Sequence, residues 1–358
     1  MSEKNGFKEQ EIKRTDRIYG CLVGGAAGDA LGFAIEFSGE DTIFEEYGSN
    51  GITEYKLNPY TGTAIISDDT QMTMFTAQGI IDTYEEIGEK RFDPKVRQHI
   101  ANCYQEWFYT QGKRFDKEKN KGKSWLCSIP ALFDRRAPGN TCLSALLQRS
   151  KTPAPNDYIA DKINNSCGCG GVMRVAPLGF IPCDDITLID MEAAQAAAVT
   201  HSHSLGYIPA AILAHIIHRC IYPIERLGNL YDIVEEALMT AQRLFAGDEN
   251  LDKQTQMLRA TVELSENNSP DLDNIHILGE GWVGDEALNI AVYCALRHKD
   301  DFSSGIIAAV NHKGDSDSTG AICGNILGAY LGENAIEDKW KNKLELRQVI
   351  EMLAGYIA

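Results

Sequence analysis

Two runs of glycine at four-residue spacing constrain this chain more than any other feature. Gly20, Gly24, Gly28 and Gly32 fall within "RIYGCLVGGAAGDALG" (17–32), and Gly320, Gly324, Gly328 and Gly332 within "GAICGNILGAYLG" (320–332). Both stretches carry helical apolar periodicity, and a four-residue interval keeps the glycines on one helix face. Glycine inside a helix costs about 0.5–1 kcal/mol relative to alanine. Such stripes need compensation, and close approach of one helix to another supplies it. In a chain with 32 glycines, chance covers one stripe more easily than two. Both helices are expected to be central and tightly packed.

The remaining periodic segments are also helical: 69–87, 191–200, 207–222 and 282–298. Pro209 lies near the start of its segment, where a helix tolerates it. Among few alternating runs, "GIIAAVNH" (305–312) is the best strand candidate, and it reads equally well as helix. There is no internal repeat and no low-complexity linker. The fold class expected is all-α, one compact domain over 17–358, preceded by a polar extension over 1–16 that reads as a disordered tail.

Composition excludes several function classes. A hydrophobic content of 44% suffices for a core, and the formal net charge is −17. That balance makes nucleic acid and anionic membranes poor partners. No apolar run approaches the ~20 residues of a membrane span, and the N-terminus lacks the apolar segment of a signal peptide. The 10 cysteines contain no CxxC pair, which fits reduced thiols in the cytoplasm. Cys167 and Cys169 form a CxC, too little for a zinc site. The basic stretch 113–123 reads as a solvated loop, with contact to an anionic ligand or target as the sharper alternative.

The chemistry concentrates in two acidic helix starts near opposite ends of the chain. "SDDT" (67–70) precedes one amphipathic run, and "DSDST" (315–319) precedes the glycine-striped one. Capping explains either alone, because Asp and Ser satisfy orphan N–H groups. Together, Ser67, Asp68, Asp69, Asp315, Asp317 and Ser318 form an all-oxygen donor set suited to hard cations such as Mg²⁺ or Mn²⁺. Capping then remains the reading for Ser316 and Thr319. An EF-hand starting at Asp315 fails, because its twelfth residue is Ile326. The DxDxT pattern of aspartyl-phosphate phosphatases also fits, but it calls for a preceding buried strand.

Three further stretches are ambiguous alone. "NNSCGCGGVMRVAP" (164–177) is a phosphate-binding loop or a tight turn. In "THSHSLGY" (200–207), His201 or His203 caps the next helix or lines a pocket. Glu36 follows the first striped helix, where a loop could carry it over a site.

Taken in order, these motifs, with "GCLVGGAAGDALGFAIE" and "GWVGDEALNIAVY", resemble the ADP-ribosylglycohydrolase family, including its dinitrogenase-reductase-activating branch. The resemblance extends from about Arg17 to Gly332. It implies a compact all-α fold with two Mg²⁺ or Mn²⁺ ions held by Ser67, Asp68, Asp69, Asp315, Asp317 and Ser318. It implies Glu36, Asp69 and Asp317 as catalytic groups, and His201 in the ribose pocket. Gly168, Cys169, Gly170, Gly171 and Met173 look like the segment that cradles the diphosphate. "RRAPGNTC" (135–142) also looks like the bacterial branch, with no role assigned to its residues.

The implied reaction removes ADP-ribose from a modified protein, with free ADP-ribose as product. ADP-ribosyl-arginine is the expected linkage. ADP-ribosyl-serine, another O-linked ADP-ribose, or ADP-ribose binding without turnover are the alternatives, and a DxDxT phosphatase is a remote one. Some relatives protect against ADP-ribosyltransferase toxins, so such a transferase is a conceivable partner of the extension.

Overall fold

A computed structural model describes the backbone of residues 2–120 and 123–358, and side chains from residue 10 onward within those stretches. Among the described residues there are fifteen α-helices and short 3-10 turns. In chain order the helices are α1 (Ser2–Gly32), α2 (Glu40–Tyr47), α3 (Asp68–Ile87), α4 (Val96–Gly112), α5 (Asn140–Arg149), α6 (Ile186–Ala198), α7 (Ser204–Ile221) and α8 (Leu230–Leu244). They continue with α9 (Leu251–Ser265), α10 (Asp271–Leu278), α11 (Gly284–Arg297), α12 (Phe302–Val310), α13 (Ser316–Leu331), α14 (Asp338–Lys341) and α15 (Arg347–Ile357). Extended pairing among these residues is limited to isolated bridges, such as Gly168 with Val283.

The two glycine stripes meet. α1 and α13 lie antiparallel, Gly20 against Gly328, Gly24 against Gly324, Gly28 against Gly320 and Gly32 against Ser316. A Cβ added to Gly28 would lie 1.9 Å from the Gly320 carbonyl oxygen, so backbone touches backbone along the seam. This contact fixes the end of α1 beside the start of α13. The turn after α1, which carries Glu36, is thereby held against Asp315 and Asp317.

Around the seam the core is continuous. α7 is buried along almost its whole length, which accounts for its membrane-like composition. Pro209 is its sixth residue, inside the helix and not in its first turn. The Leu205 carbonyl therefore lacks its usual i+4 donor, and Gly284 at the start of α11 packs against that carbonyl. Arg174 is fully buried, lies over the Tyr104 ring, and donates to the Ala196 carbonyl and Thr200 Oγ1.

The structure settles one open reading and changes another. "GIIAAV" is helical, within α12, because Asp301 caps it by accepting from Ser304 N at 3.0 Å. The polar extension does not stand apart as a tail: α1 runs through it without a break. Asp16 accepts from Asn334, and Arg14 lies over the Tyr222 ring. Of the basic stretch, Lys121 and Gly122 lie outside the described residues.

Candidate active site

Asp29, in the last turn of α1, organises the start of α3. It is fully buried and accepts from Ser67 N at 3.0 Å and from Thr70 N at 3.1 Å, as well as from Thr70 Oγ1. Ser67 caps α3 through its own hydroxyl, which accepts from Asp69 N at 3.1 Å. The Arg136 carbonyl accepts from Asp68 N. With capping done by Ser67, the carboxylates of Asp68 and Asp69 are free for other work.

At the start of α13 the division of labour differs. Asp315 occupies the cap position, yet its side chain caps nothing. Ser316 and Thr319 do not cap either, contrary to expectation. Their hydroxyls donate back to carbonyls, Ser316 to His312 and Thr319 to Ala309 and Asp315. Asp315 Oδ2 instead accepts from the Cys169 thiol at 2.7 Å, and Asp317 Oδ1 accepts from Ser318 N. Ser318 Oγ donates to Asp69 Oδ2 at 2.8 Å, joining the two acidic helix starts.

Oxygen atoms of Glu36, Asp315 and Asp317 lie within 4.8 Å of one another. Burial first, and then the neighbouring acids, push these carboxyls upward: Glu36 to about 10 and Asp29 to about 7. Asp68, Asp69 and Asp315 are raised well above the usual carboxylate range for the same reasons, and Asp317 is raised chiefly by burial. Among the described residues no ion pair from Lys or Arg reaches any of these six acids. Glu36 Oε2 is buried with no hydrogen-bond partner. Buried acids without a counter-charge are costly, and this hard-oxygen set fits a divalent cation.

The acids open into a cleft of about 220 Å³, whose other walls include Asn140, Gly170, Met173, His201 and Trp282. A larger cavity of about 770 Å³, beside Arg14, His218 and Tyr222, contains none of these groups. In the glycine loop, Gly168 N already donates to Ser166 Oγ and Cys169 N to the Trp282 carbonyl. The amides left for a ligand are those of Gly170 and Gly171, opening a 3-10 turn. A Cβ on Gly170 would meet His201 Cε1 at 2.9 Å, so that glycine is needed for the ring to pack. His201 bonds Thr200 Oγ1 through Nδ1, and burial, reinforced by Arg174, depresses it to about 3, which keeps the ring neutral. His203 caps α7, accepting from Leu205 N.

Of the site residues that the family resemblance implies, all but Ser67 and Gly171 line this cleft; Ser67 lies at the start of α3 beneath it, and Gly171 is buried against Gly206 and Ala197. Asp29 was missed. Its sequence signal was present, an acid inside an otherwise apolar helix. The 135–142 segment, left without roles, closes the cleft through Ala137, Gly139, Asn140, Thr141 and Cys142.

Among the described residues the fold is helical, and the buried acids around one cleft make a donor set that could hold a divalent cation. The model of the family described as ADP-ribosylglycohydrolase matches residues 10–358, and the chain belongs to that family. It is 24% identical to the ADP-ribosylhydrolase ARH3 of Gallus gallus, over 95% of this chain and 92% of the relative. It is likewise 24% identical to the ADP-ribosylarginine hydrolase Tri1 of Pseudomonas putida, over 95% of this chain and 77% of the relative. A solved structure titled ADP-ribosylglycohydrolase-related protein complex shares the fold, with TM-score 0.64, 24% identity, and coverage of 96% of this chain and 98% of that one. The chain is thus a glycosidase-type hydrolase, and the phosphatase alternative falls away. No strand precedes Asp315 among the described residues; α12 does.

Proposed function

We propose that this protein releases ADP-ribose from modified arginine side chains of proteins, with Mg²⁺ or Mn²⁺ as cofactor. The observation that carries this reading is the buried, unpaired cluster of Glu36, Asp68, Asp69, Asp315 and Asp317 facing the Gly170–His201 wall of one cleft. Ser67, Asp68, Asp69, Asp315, Asp317 and Ser318 are the residues that would hold two cations, which when bound supply Lewis-acid activation of water and of sugar hydroxyls.

The chain's own groups divide the remaining work. The Gly170 and Gly171 amides offer donors to a diphosphate. His201, neutral and fixed by Thr200, offers a ring face and Nε2 to a ribose. Glu36 Oε2 lacks any partner and is the oxygen free to move a proton. With bound cations offsetting the neighbouring acids, Glu36 would be a carboxylate that takes a proton from the attacking water and passes it to the departing guanidine nitrogen as the glycosidic bond breaks. Cys169 holds Asp315 and Ser318 holds Asp69, so the acids present fixed oxygen positions.

The test is incubation with ADP-ribosyl-arginine and ADP-ribosyl-serine peptides, with and without EDTA. The expected result is ADP-ribose from the arginine substrate, lost in EDTA and restored by Mg²⁺ or Mn²⁺. Asp69→Ala and Asp317→Ala abolish release; full activity in either variant refutes the ligand assignment. Release from the serine peptide alone transfers the reading to that linkage, and saturable ADP-ribose binding without turnover makes the protein a binder.

A further inference from the structure

Trp282 lines the cleft and Phe37 stacks beside it, and the core uses neither ring. Phe37 is 75% exposed and Trp282 41% exposed. Their ring centroids lie 6.4 Å apart and their planes differ by 21°. Neither ring is placed by chance of a loose loop. Phe37 directly follows Glu36 in the turn after α1. Trp282 is held from both sides, its carbonyl accepting from Cys169 N at 3.2 Å and its neighbour Glu280 accepting from Asp315 N at 2.8 Å. Gly281 lets this strap lie flat, since a Cβ there would meet Thr319 Cγ2 at 2.9 Å.

We infer that Phe37 and Trp282 form a slot that takes the planar guanidinium of the leaving arginine and so selects that linkage. The inference rests on the proposed hydrolase reading and names its specificity residues. The bond to be broken must lie beside Glu36, so the leaving group extends past Phe37. The opposite wall is closed by Gly170 and His201, both buried. A plane inserted between two rings needs about 3.5 Å on each side, roughly 7 Å in all. The two rings are stacked beside one another, so exposed Phe37 turns outward to admit the plane. Guanidinium stacks on aromatic faces and is attracted by them. A serine linkage offers neither a plane nor a charge.

Wild type, Phe37→Ala, Trp282→Ala and Phe37→Tyr are compared on arginine- and serine-linked peptides. In the alanine variants the preference for arginine over serine falls roughly three- to thirtyfold. If only the arginine substrate is cleaved, KM rises by that factor while kcat holds within about twofold, the pattern expected for lost uniform binding. Phe37→Tyr keeps the wild-type values. An unaltered preference, or a loss confined to kcat, overturns the slot. Agmatine serves as an independent probe of the guanidinium site through tryptophan fluorescence. A saturable change in wild type that is absent in Trp282→Phe supports the slot; no saturable change overturns it. Lack of turnover on the arginine substrate would count against the hydrolase reading, and the agmatine titration would still decide the slot.

Discussion

Gly28→Ala is the sharpest probe of how the site is built. The added methyl would sit 1.9 Å from the Gly320 carbonyl oxygen, whereas real Cβ contacts closer than 3.0 Å are essentially never seen. α1 and α13 would therefore have to part locally by about 1 Å, and no rotamer change can relieve a clash with backbone. Alanine gains about 1 kcal/mol of helix propensity over glycine, while overpacking costs about 1–3 kcal/mol and sometimes more. Contact with backbone puts the cost at or beyond the top of that range, for a net loss of about 2 kcal/mol or more. Gly112→Ala, at the end of α4 with no atom near its added Cβ, is the control. It should gain up to about 1 kcal/mol. Chemical denaturation followed by circular dichroism reads both as shifts in midpoint at constant slope. Because α13 also carries Asp317, the same displacement should lower activity by as much as about 100-fold. A Gly28→Ala protein as stable as wild type would refute the seam.

Two further expectations follow from the acids. Asp29→Ala removes the acceptor of two buried amides and one hydroxyl at the start of α3, so it should cost about 3 kcal/mol or more. The check is the thermal midpoint together with the Mn²⁺ dissociation constant, which should weaken as Asp68 and Asp69 lose their fixed positions. Without metal, Asp29 is pushed from 3.8 to about 7 when folded. An acid whose folded pKa is raised contributes stability that is fully present below its unfolded pKa and is lost as pH rises through the folded one. Metal-free protein should therefore lose stability from about pH 4 through about pH 7 and above, as Asp29 and its raised neighbours ionise. Added Mn²⁺ should raise the melting temperature more at pH 8 than at pH 5, and an equal gain at both would contradict this.

How much of this was legible in the sequence depended on whether the signal was local. The seam was legible because a glycine every fourth residue has one strong explanation in a helix. The convergence of the two acidic helix starts was legible because each carried more acid than capping uses. The segment 305–312 stayed open between strand and helix because its Ile, Ala and Val satisfy both periods. The deciding residue was Asp301, whose carboxylate caps the helix from outside the apolar run. Asp29 carried a signal, an acid inside an apolar helix, but not its role, which lies in Ser67 and Thr70, whose positions relative to α1 only the fold sets. Phe37 and Trp282 were silent for the same reason.

The two acidic helix starts also show how a cap and a ligand can be told apart. At α3 the hydroxyl of Ser67 satisfies the orphan amide of Asp69, and the acids behind it make no cap. At α13 an acid holds the cap position, yet it bonds a thiol across the cleft instead of its own helix. In both, the positive end of the helix dipole favours the carboxylates without consuming their oxygens. The Ser318–Asp69 hydrogen bond then joins the two sets at 2.8 Å. An acid at a helix start that leaves the helix uncapped has given up a local bond worth about 1 kcal/mol. Its reason must be tertiary, and here it is the neighbouring helix's acids converging on one cleft.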